Sequence, residues 1–310
     1  MRKPFHSGFV SIAGRPNVGK STLLNAMVGD KLAIVSEKPQ TTRTAIQGVI
    51  TLPHSQIIFI DTPGIHESKS LINQRMMEAV RGALEDRDVV LFMADCSAPF
   101  HDEDQRAIDA VKGVKAPVFL VLNKIDRLAN KSLVLPILEK YQSLHDFAEY
   151  FSISAMTGEG LPELRDAIVA KLPVGPQYFP ADYLTDQPER FLAAELIRER
   201  ILHETRQEVP HSVAVMVEKW EDTPRLVRIS AIIYVERPGQ KGILIGAKGA
   251  QLKTIGTMAR QEIETLLSKK VFLELFVKVR ADWRESPQFL DAIDWRSMQG
   301  GQLESDPEKK

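Results

Sequence analysis

The 310-residue chain has a single cysteine, Cys96. One thiol can build neither a disulfide framework nor a cysteine-ligated metal site, and a reducing, intracellular setting is the natural reading. No apolar stretch precedes Gly8, so the first residues do not read as a signal peptide. The longest apolar runs, such as Pro117–Leu122, fall far short of the ~20 residues that a membrane-spanning helix needs. The chain is expected to be soluble, or at most peripheral to a membrane. Its 44% hydrophobic and 26% charged residues are those of an ordinary globular protein. The net charge of −1 by itself points to no polyanionic partner.

Two regions with different order are present. Over the first 170 or so residues, apolar runs at Phe9–Ala13, Thr44–Thr51, Gln56–Ile60, Val89–Asp95, Pro117–Leu122 and Tyr150–Ser154 read as strands. Helical patterns at Lys20–Val28, Leu71–Glu85, Asp102–Val111, Ser132–Leu144 and Leu161–Lys171 alternate with them. That alternation predicts an α/β domain with a mostly parallel sheet and helices on both faces. The stretch Leu172–Pro188 then carries Pro173, Pro176, Pro180 and Pro188 without periodicity and reads as an interdomain linker. After it come a helix (Pro188–Glu208), two strands (Ser212–Trp220, Leu226–Glu236), a glycine-rich turn, a helix (Gln251–Lys269) and a strand (Val271–Arg280). This is a smaller α+β domain of order α-β-β-α-β. From about Ser286 the chain is polar and acidic and is expected to fray.

The first strand runs into Gly14-Arg15-Pro16-Asn17-Val18-Gly19-Lys20-Ser21, followed by Thr22. A G-x-x-x-x-G-K-S stretch between strand and helix is a phosphate loop, whose backbone N–H groups wrap phosphates at a helix N-terminus. Lys20 would reach the β- and γ-phosphates, and the Ser21 hydroxyl would bind Mg²⁺. Asp61-Thr62-Pro63-Gly64 follows an apolar strand, so Asp61 could hold Mg²⁺ and the Gly64 N–H could sense the γ-phosphate. Taken alone, that tetrapeptide is an ordinary turn. Asn123-Lys124-Ile125-Asp126 ends another strand. The Asp126 carboxylate can accept from N1–H and the 2-amino group of guanine, which adenine cannot match. Lys124 can lie along the base and Asn123 can tie this loop to the phosphate loop. Ser154-Ala155 closes the last strand, which would bring the Ala155 N–H to the guanine O6. Four such segments, each at the C-terminal end of a strand, make a strong signal for a guanine nucleotide.

Pro39-Gln40-Thr41-Thr42-Arg43 supplies a threonine able to close on Mg²⁺ and the γ-phosphate, with Thr42 favoured over Thr41. After Gly64 comes Ile65, where Ras-like enzymes place a water-orienting glutamine. No side-chain base is visible, so unassisted hydrolysis should be slow. The side-chain carbonyl of Asn17 could coordinate a monovalent cation beside the phosphates, and potassium activation through Asn17 is the resulting hypothesis. The residues expected to act in hydrolysis are Lys20, Thr42, Gly64 and Asn17.

In the second region, Gly246-Ala247-Lys248-Gly249 is a G-x-x-G turn that opens a helix. Glycines there let the backbone approach a single nucleic-acid strand, and Lys248 supplies a phosphate contact. A lone G-x-x-G is common in plain turns. Charge argues for the ligand: Arg225–Arg280 holds eleven Lys and Arg against four acids, whereas Asp182–Glu208 holds seven acids against four arginines. Aromatics are sparse near the turn, so contacts are expected from the backbone, from Ile243 and Ile245, and from Lys241, Lys248 and Lys253.

These motifs, with Pro-Gln-Thr-Thr-Arg and the C-terminal Ile-Leu-Ile-Gly-Ala-Lys-Gly-Ala, resemble the bacterial Era family of GTPases from Phe9 to about Trp283. The resemblance implies a GTP-binding G domain (1–175), a linker (176–188), a type II K-homology (KH) domain (189–285) and a polar tail (286–310). It implies a cytoplasmic ribosome-assembly GTPase, able to associate with the inner face of the membrane. Its KH domain would bind the 3′ end of small-subunit (16S) ribosomal RNA when GTP is bound. Mg²⁺ and, in some relatives, K⁺ would be its cations, and a monomer is expected. Rival readings are a GTPase whose second domain binds protein, a tRNA-modifying GTPase, and a P-loop kinase. The tRNA-modifying group carries a C-terminal cysteine motif that is missing here, and Asn123–Asp126 argues against the kinase.

Overall fold

The computed structural model of the chain describes residues 4–38, 40–65, 70–205 and 209–294. Two compact units emerge, Met1–Lys69 with Asn73–Asp186, and Ser70–Ile72 with Gln187–Lys310.

In the first unit, β1 (His6–Ala13), β3 (Ser55–Asp61), β4 (Val89–Asp95), β5 (Val118–Asn123) and β6 (Glu149–Ser152) run parallel, and β2 (Ile46–Leu52) pairs antiparallel with β3 at one edge. The strand order is β2-β3-β1-β4-β5-β6. The central strands are near-continuous apolar runs because both faces of the sheet are covered. In β4, Val89, Leu91 and Met93 enter one core cluster, while Val90, Phe92 and Ala94 enter the other. Side chains from α1 (Lys20–Val28) and α5 (Leu161–Lys171) build the first cluster. The second draws on α2 (Leu71–Leu84), α3 (Asp102–Val111) and α4 (Val134–Gln142). This layering leaves the loops at the C-terminal strand ends free to build a site.

The proline-rich stretch expected as a linker is instead fastened to this unit as far as Asp186. Ser7 Oγ donates to the Pro176 carbonyl at 2.6 Å. Buried Gln56 accepts from the Tyr178 and Phe179 N–H groups at 2.8 and 3.0 Å and donates to the Phe179 carbonyl at 2.9 Å. Val49 N–H donates to the Leu184 carbonyl at 2.8 Å, and Thr185 Oγ1 to the Gln47 carbonyl at 2.7 Å. The strap satisfies backbone groups at the sheet edge, which its proline content conceals.

In the second unit, α6 (Glu189–Glu204) precedes β7 (Ala214–Asp222) and β8 (Leu226–Val235). The C-terminal part of the helix expected over Pro188–Glu208 lies partly outside the described residues, and α6 ends at Glu204. Then come α7 (Pro238–Ile245), α8 (Ala250–Leu267) and β9 (Lys270–Val279). The sheet has the order β7-β8-β9, with β7 antiparallel and β9 parallel to β8. Here the expected order needs correction, because α7 forms where only a glycine-rich turn was expected. Pro238 pre-sets the first turn, Gln240 Oε1 reaches back to the Glu236 and Arg237 N–H groups at 3.0 Å, and Leu244 is fully buried. These outweigh the helix-weakening Gly239 and Gly242. A second correction concerns the tail, whose first residues form α9 (Pro287–Ile293). Ser286 Oγ caps it by accepting from the Phe289 N–H, and Phe289 and Leu290 are buried.

The Gln56 contacts yield a test. Gln56→Leu should leave the Tyr178 and Phe179 N–H groups unsatisfied and lower stability by about 2–3 kcal/mol. Urea denaturation, with proteolysis of the 176–186 strap, would measure it, and unchanged values on both would contradict this role.

Candidate functional site

Loops after β1, β3, β4, β5 and β6 meet at one edge of the first sheet. Gly14 follows β1 directly, and α1 opens at Lys20, so the phosphate loop is a strand-to-helix turn as expected. Lys20 is buried and its Nζ donates to the Gly14 and Arg15 carbonyls at 3.1 and 2.9 Å, folding back over the loop. Burial lowers this ammonium to about 8, Asp61 opposes the shift and Arg15 adds to it. Asp61 is fully buried at the end of β3, and burial raises it to about 6 against the charge of Lys20 and hydrogen bonds from Ser21, Thr42 and Thr62.

Three oxygens converge beside this pair. Ser21 Oγ donates to Asp61 Oδ2 at 2.6 Å and lies 2.8 Å from Thr42 Oγ1. Asp61 Oδ1 is buried without a well-formed hydrogen bond among the described residues. Of the two threonines, it is Thr42 that is drawn into the site; the Thr41 hydroxyl donates to the Lys38 carbonyl at 2.6 Å. Pro39, in the same loop, lies outside the described residues. Thr22, the third residue of α1, is half-buried. Buried Thr62 donates to the Ile12 carbonyl at 2.7 Å, and Pro63 is buried after it. Gly64 has no room for a side chain, since a Cβ there would meet Pro16 Cγ at 2.6 Å and its Cα at 2.7 Å. Ile65 is buried in the core formed with α2 and α3, so it plugs the sheet and reaches no solvent-borne nucleophile.

The base side is held by Asn123. Its Nδ2 donates to the Val18 carbonyl at 2.8 Å and its Oδ1 accepts from the Ala155 N–H at 2.9 Å, all buried. The Ala155 N–H, expected to face the guanine O6, donates here to the buried Asn123 carbonyl. Buried Ser154 in turn accepts from the Thr157 N–H at 3.1 Å. Lys124 adopts a left-handed backbone (φ 70°), and its Nζ donates to the Asn17 carbonyl at 2.7 Å and to Asp95 Oδ2 at 2.6 Å. Buried Ile125 anchors the single turn Ile125–Arg127, which leaves Asp126 exposed. Exposed Asn17 donates through Nδ2 to the Glu37 carbonyl at 2.8 Å.

Two partners were missed in the sequence. Arg15 does not direct its guanidinium into the site; its Nε pairs with buried Asp104 of α3 at 3.0 Å. Asp95, at the end of β4, holds Lys124. Burial works to raise Asp95, but hydrogen bonds from Lys124 and Ser97 outweigh it and hold the carboxyl below its usual value. A charged residue closing an apolar strand was the only available signal for Asp95.

In the second unit the G-x-x-G turn joins α7 to α8. Gly246 has φ 68° and ψ −178°, and a Cβ there would meet Gln251 Cβ at 2.7 Å. Lys248 (φ 51°) is exposed, as are Ala247, Ile243 and Lys253, while Lys241, Ile245 and Gly249 are half-buried. Gln251 Nε2 pins the start of α8 to the Glu204 carbonyl at 3.0 Å.

Comparison with known proteins follows the same division. Residues 9–124 match a family model described as a 50S ribosome-binding GTPase, and residues 208–284 match one described as a KH domain. GTPase Era of Geobacter metallireducens is 51% identical over 294 residues, covering 94% of this chain and 98% of that protein. GTPase Era of Syntrophus aciditrophicus is 50% identical over 288 residues, covering 92% and 94%. Two crystal structures are similar at TM-score 0.91 and 41% identity, covering 94% of this chain and 99% of theirs. One is an Aquifex aeolicus Era variant bound to GDP·AlF₄⁻; the other is Era in complex with MgGDPNP and nucleotides 1506–1542 of 16S ribosomal RNA. With half its residues shared over nearly the full length of these relatives, the chain belongs to the Era family of GTPases.

Proposed function

We propose that the chain is a GTP-driven switch whose KH domain binds the 3′ end of small-subunit ribosomal RNA during assembly of that subunit. The observation that carries the nucleotide half is the meeting of Ser21, Thr42 and Asp61 oxygens beside buried Lys20. The RNA half is supported by the KH match and by the relative crystallised with 16S RNA. The same reading has the protein work as a monomer in the cytoplasm; no helix among the described residues is long and apolar enough to cross a membrane.

Two hydroxyls and a carboxylate are hard oxygen donors of the kind Mg²⁺ takes, and Asp61 Oδ1 is a buried acceptor in need of a partner. Ser21, Thr42 and Asp61 would hold the ion, which neutralises charge on the β- and γ-phosphates. Backbone N–H groups of Gly14–Ser21 wrap the phosphates, Lys20 meets their outer oxygens, and the Gly64 N–H faces the γ-phosphate. Asp126 selects guanine and Lys124 lies along it, with Asn123, Ser154 and Ala155 positioning that loop. On the RNA side, Gly246–Gly249 takes the strand backbone, flanked by Ile243 and Ile245, with Lys241, Lys248 and Lys253 on phosphates.

Ile65 supplies no proton acceptor, so hydrolysis rests on positioning and positive charge. Asn17 Nδ2 is committed to the Glu37 carbonyl, which leaves Oδ1 to face a monovalent cation. Turnover should be about 10-fold faster in K⁺ than in Na⁺, and Asn17→Ala should abolish that difference. Equal wild-type turnover in the two salts would remove potassium from the mechanism.

The buried pair sets a pH window. Bound phosphate favours charged Lys20, and a bound cation favours charged Asp61. Binding of Mg²⁺ and a GTP analogue therefore takes up a proton above about 8 and releases one below about 6. Affinity measured by calorimetry should peak between these values and fall on both sides; a flat profile across roughly pH 5 to 9 would contradict the assignment.

The switch itself is tested with a labelled single-stranded RNA matching the 16S 3′ end. Affinity should be about 10-fold higher with a GTP analogue than with GDP, fall with salt, and drop in Lys248→Asp. Thr42→Ala should erase the nucleotide dependence, whereas Thr41→Ala should keep it. Equal RNA affinity with both nucleotides would leave a GTPase without this switch.

A further inference from the structure

Besides the G-x-x-G turn, the second unit presents an aromatic strand face. Alternation along β9 directs Val271, Leu273, Leu275 and Val277 toward the helices and Lys270, Phe272, Glu274, Phe276 and Lys278 to the opposite side. Phe272 is 46% and Phe276 51% exposed, on a strand that, among the described residues, is paired along one edge only. Elsewhere on this face the fold covers its aromatics: Tyr234 is buried under Phe289 of α9, ring to ring at 4.8 Å. Among the described residues this cover stops short of β9.

Its surroundings are basic. Arg228, opposite Phe272 on β8, lies 5.4 Å over that ring, and Lys270 and Lys278 close the two ends of the strand, with Glu274 the acid between. Lys270 also sits 3.7 Å from Glu264 of α8. Basic residues interleaved with open aromatic faces suit a single nucleic-acid strand, because every base offers a π-face and every phosphate a negative charge. The two rings stand about 13 Å apart along the strand, room for two separate bases. α7, which ends at Ile245 and runs into the G-x-x-G turn, packs on the helix side of β9, and β9 is the outer strand of its sheet, so an RNA strand leaving the turn would reach the outward face around that edge.

We infer that the outward face of β9 is a second RNA contact, where Phe272 and Phe276 stack bases beyond those held at the G-x-x-G turn and Arg228 and Lys278 meet their phosphates. This rests on the RNA reading of that turn.

The test uses the full chain and two RNAs, one of about four nucleotides to fill the G-x-x-G turn and one of about ten. Phe272→Ser/Phe276→Ser, both exposed positions, should bind the short RNA as wild type does and the long RNA about 10-fold more weakly. A 2-aminopurine in the extension should lose its stacking quench in the variant. Unchanged affinity for the long RNA would overturn the inference. That result together with lost self-association in sedimentation would assign the face to a second copy, and without it to a protein partner. Short-RNA binding that ignores Lys248→Asp would instead overturn the G-x-x-G reading.

Discussion

Two opposite charges buried at the foot of the phosphate loop govern the first unit. Lys20 and Asp61 have both lost most of their hydration, and the shifts of each toward its neutral form record that cost. A charge in a protein interior persists only where other groups replace the water it gave up. Lys20 finds the Gly14 and Arg15 carbonyls, and Asp61 finds Ser21. The remaining Asp61 oxygen makes no well-formed hydrogen bond among the described residues, which suits the site to a charged ligand. The nearby threonine that can answer that ligand, Thr42, sits just ahead of β2, where the chain can rearrange without dismantling the parallel strands.

Such a pair demands fixed surroundings, and the neighbouring side chains supply them. Asn123 uses both ends of its amide, on Val18 and Ala155, to join the loops after β1, β5 and β6. Asp95 and the Asn17 carbonyl hold Lys124, and Asp104 holds Arg15 against α3. Each bond ties the loop after one strand to a different element. The recognition motifs are therefore a framework as much as a list of ligand contacts, and removing one side chain should disturb its neighbours' positions as well as its own contact.

Much of this was legible in the sequence because parallel strands buried on both faces leave unbroken apolar runs, and the motifs stand at their ends. Residues 9–13, 89–95 and 117–122 could hardly be read otherwise. What escaped was structure that depends on a single distant partner. Gln56 fastens the strap through side-chain bonds that no periodicity records. α7 contains two glycines, so local propensity argued against a helix that Pro238, Gln240 and buried Leu244 nevertheless stabilise. α9 looked polar because only Phe289 and Leu290 face inward. For Arg15 and Ala155 the motif was legible, while the tertiary partners Asp104 and Asn123 were not.

The second unit works by the opposite principle. Its turn is exposed, with Gly246 in a conformation that a side chain could hold only by colliding with Gln251, so the backbone itself is the presented surface. A shallow, basic, backbone-lined surface gives modest discrimination on its own, since phosphates carry no sequence. Neither Phe272 nor Phe276 lies near the turn in sequence, which is why the region looked poor in aromatics. The β8–β9 pairing brings Arg228 and Phe272 together across roughly forty residues of chain, and only the folded sheet shows that the basic surface has π-faces within it.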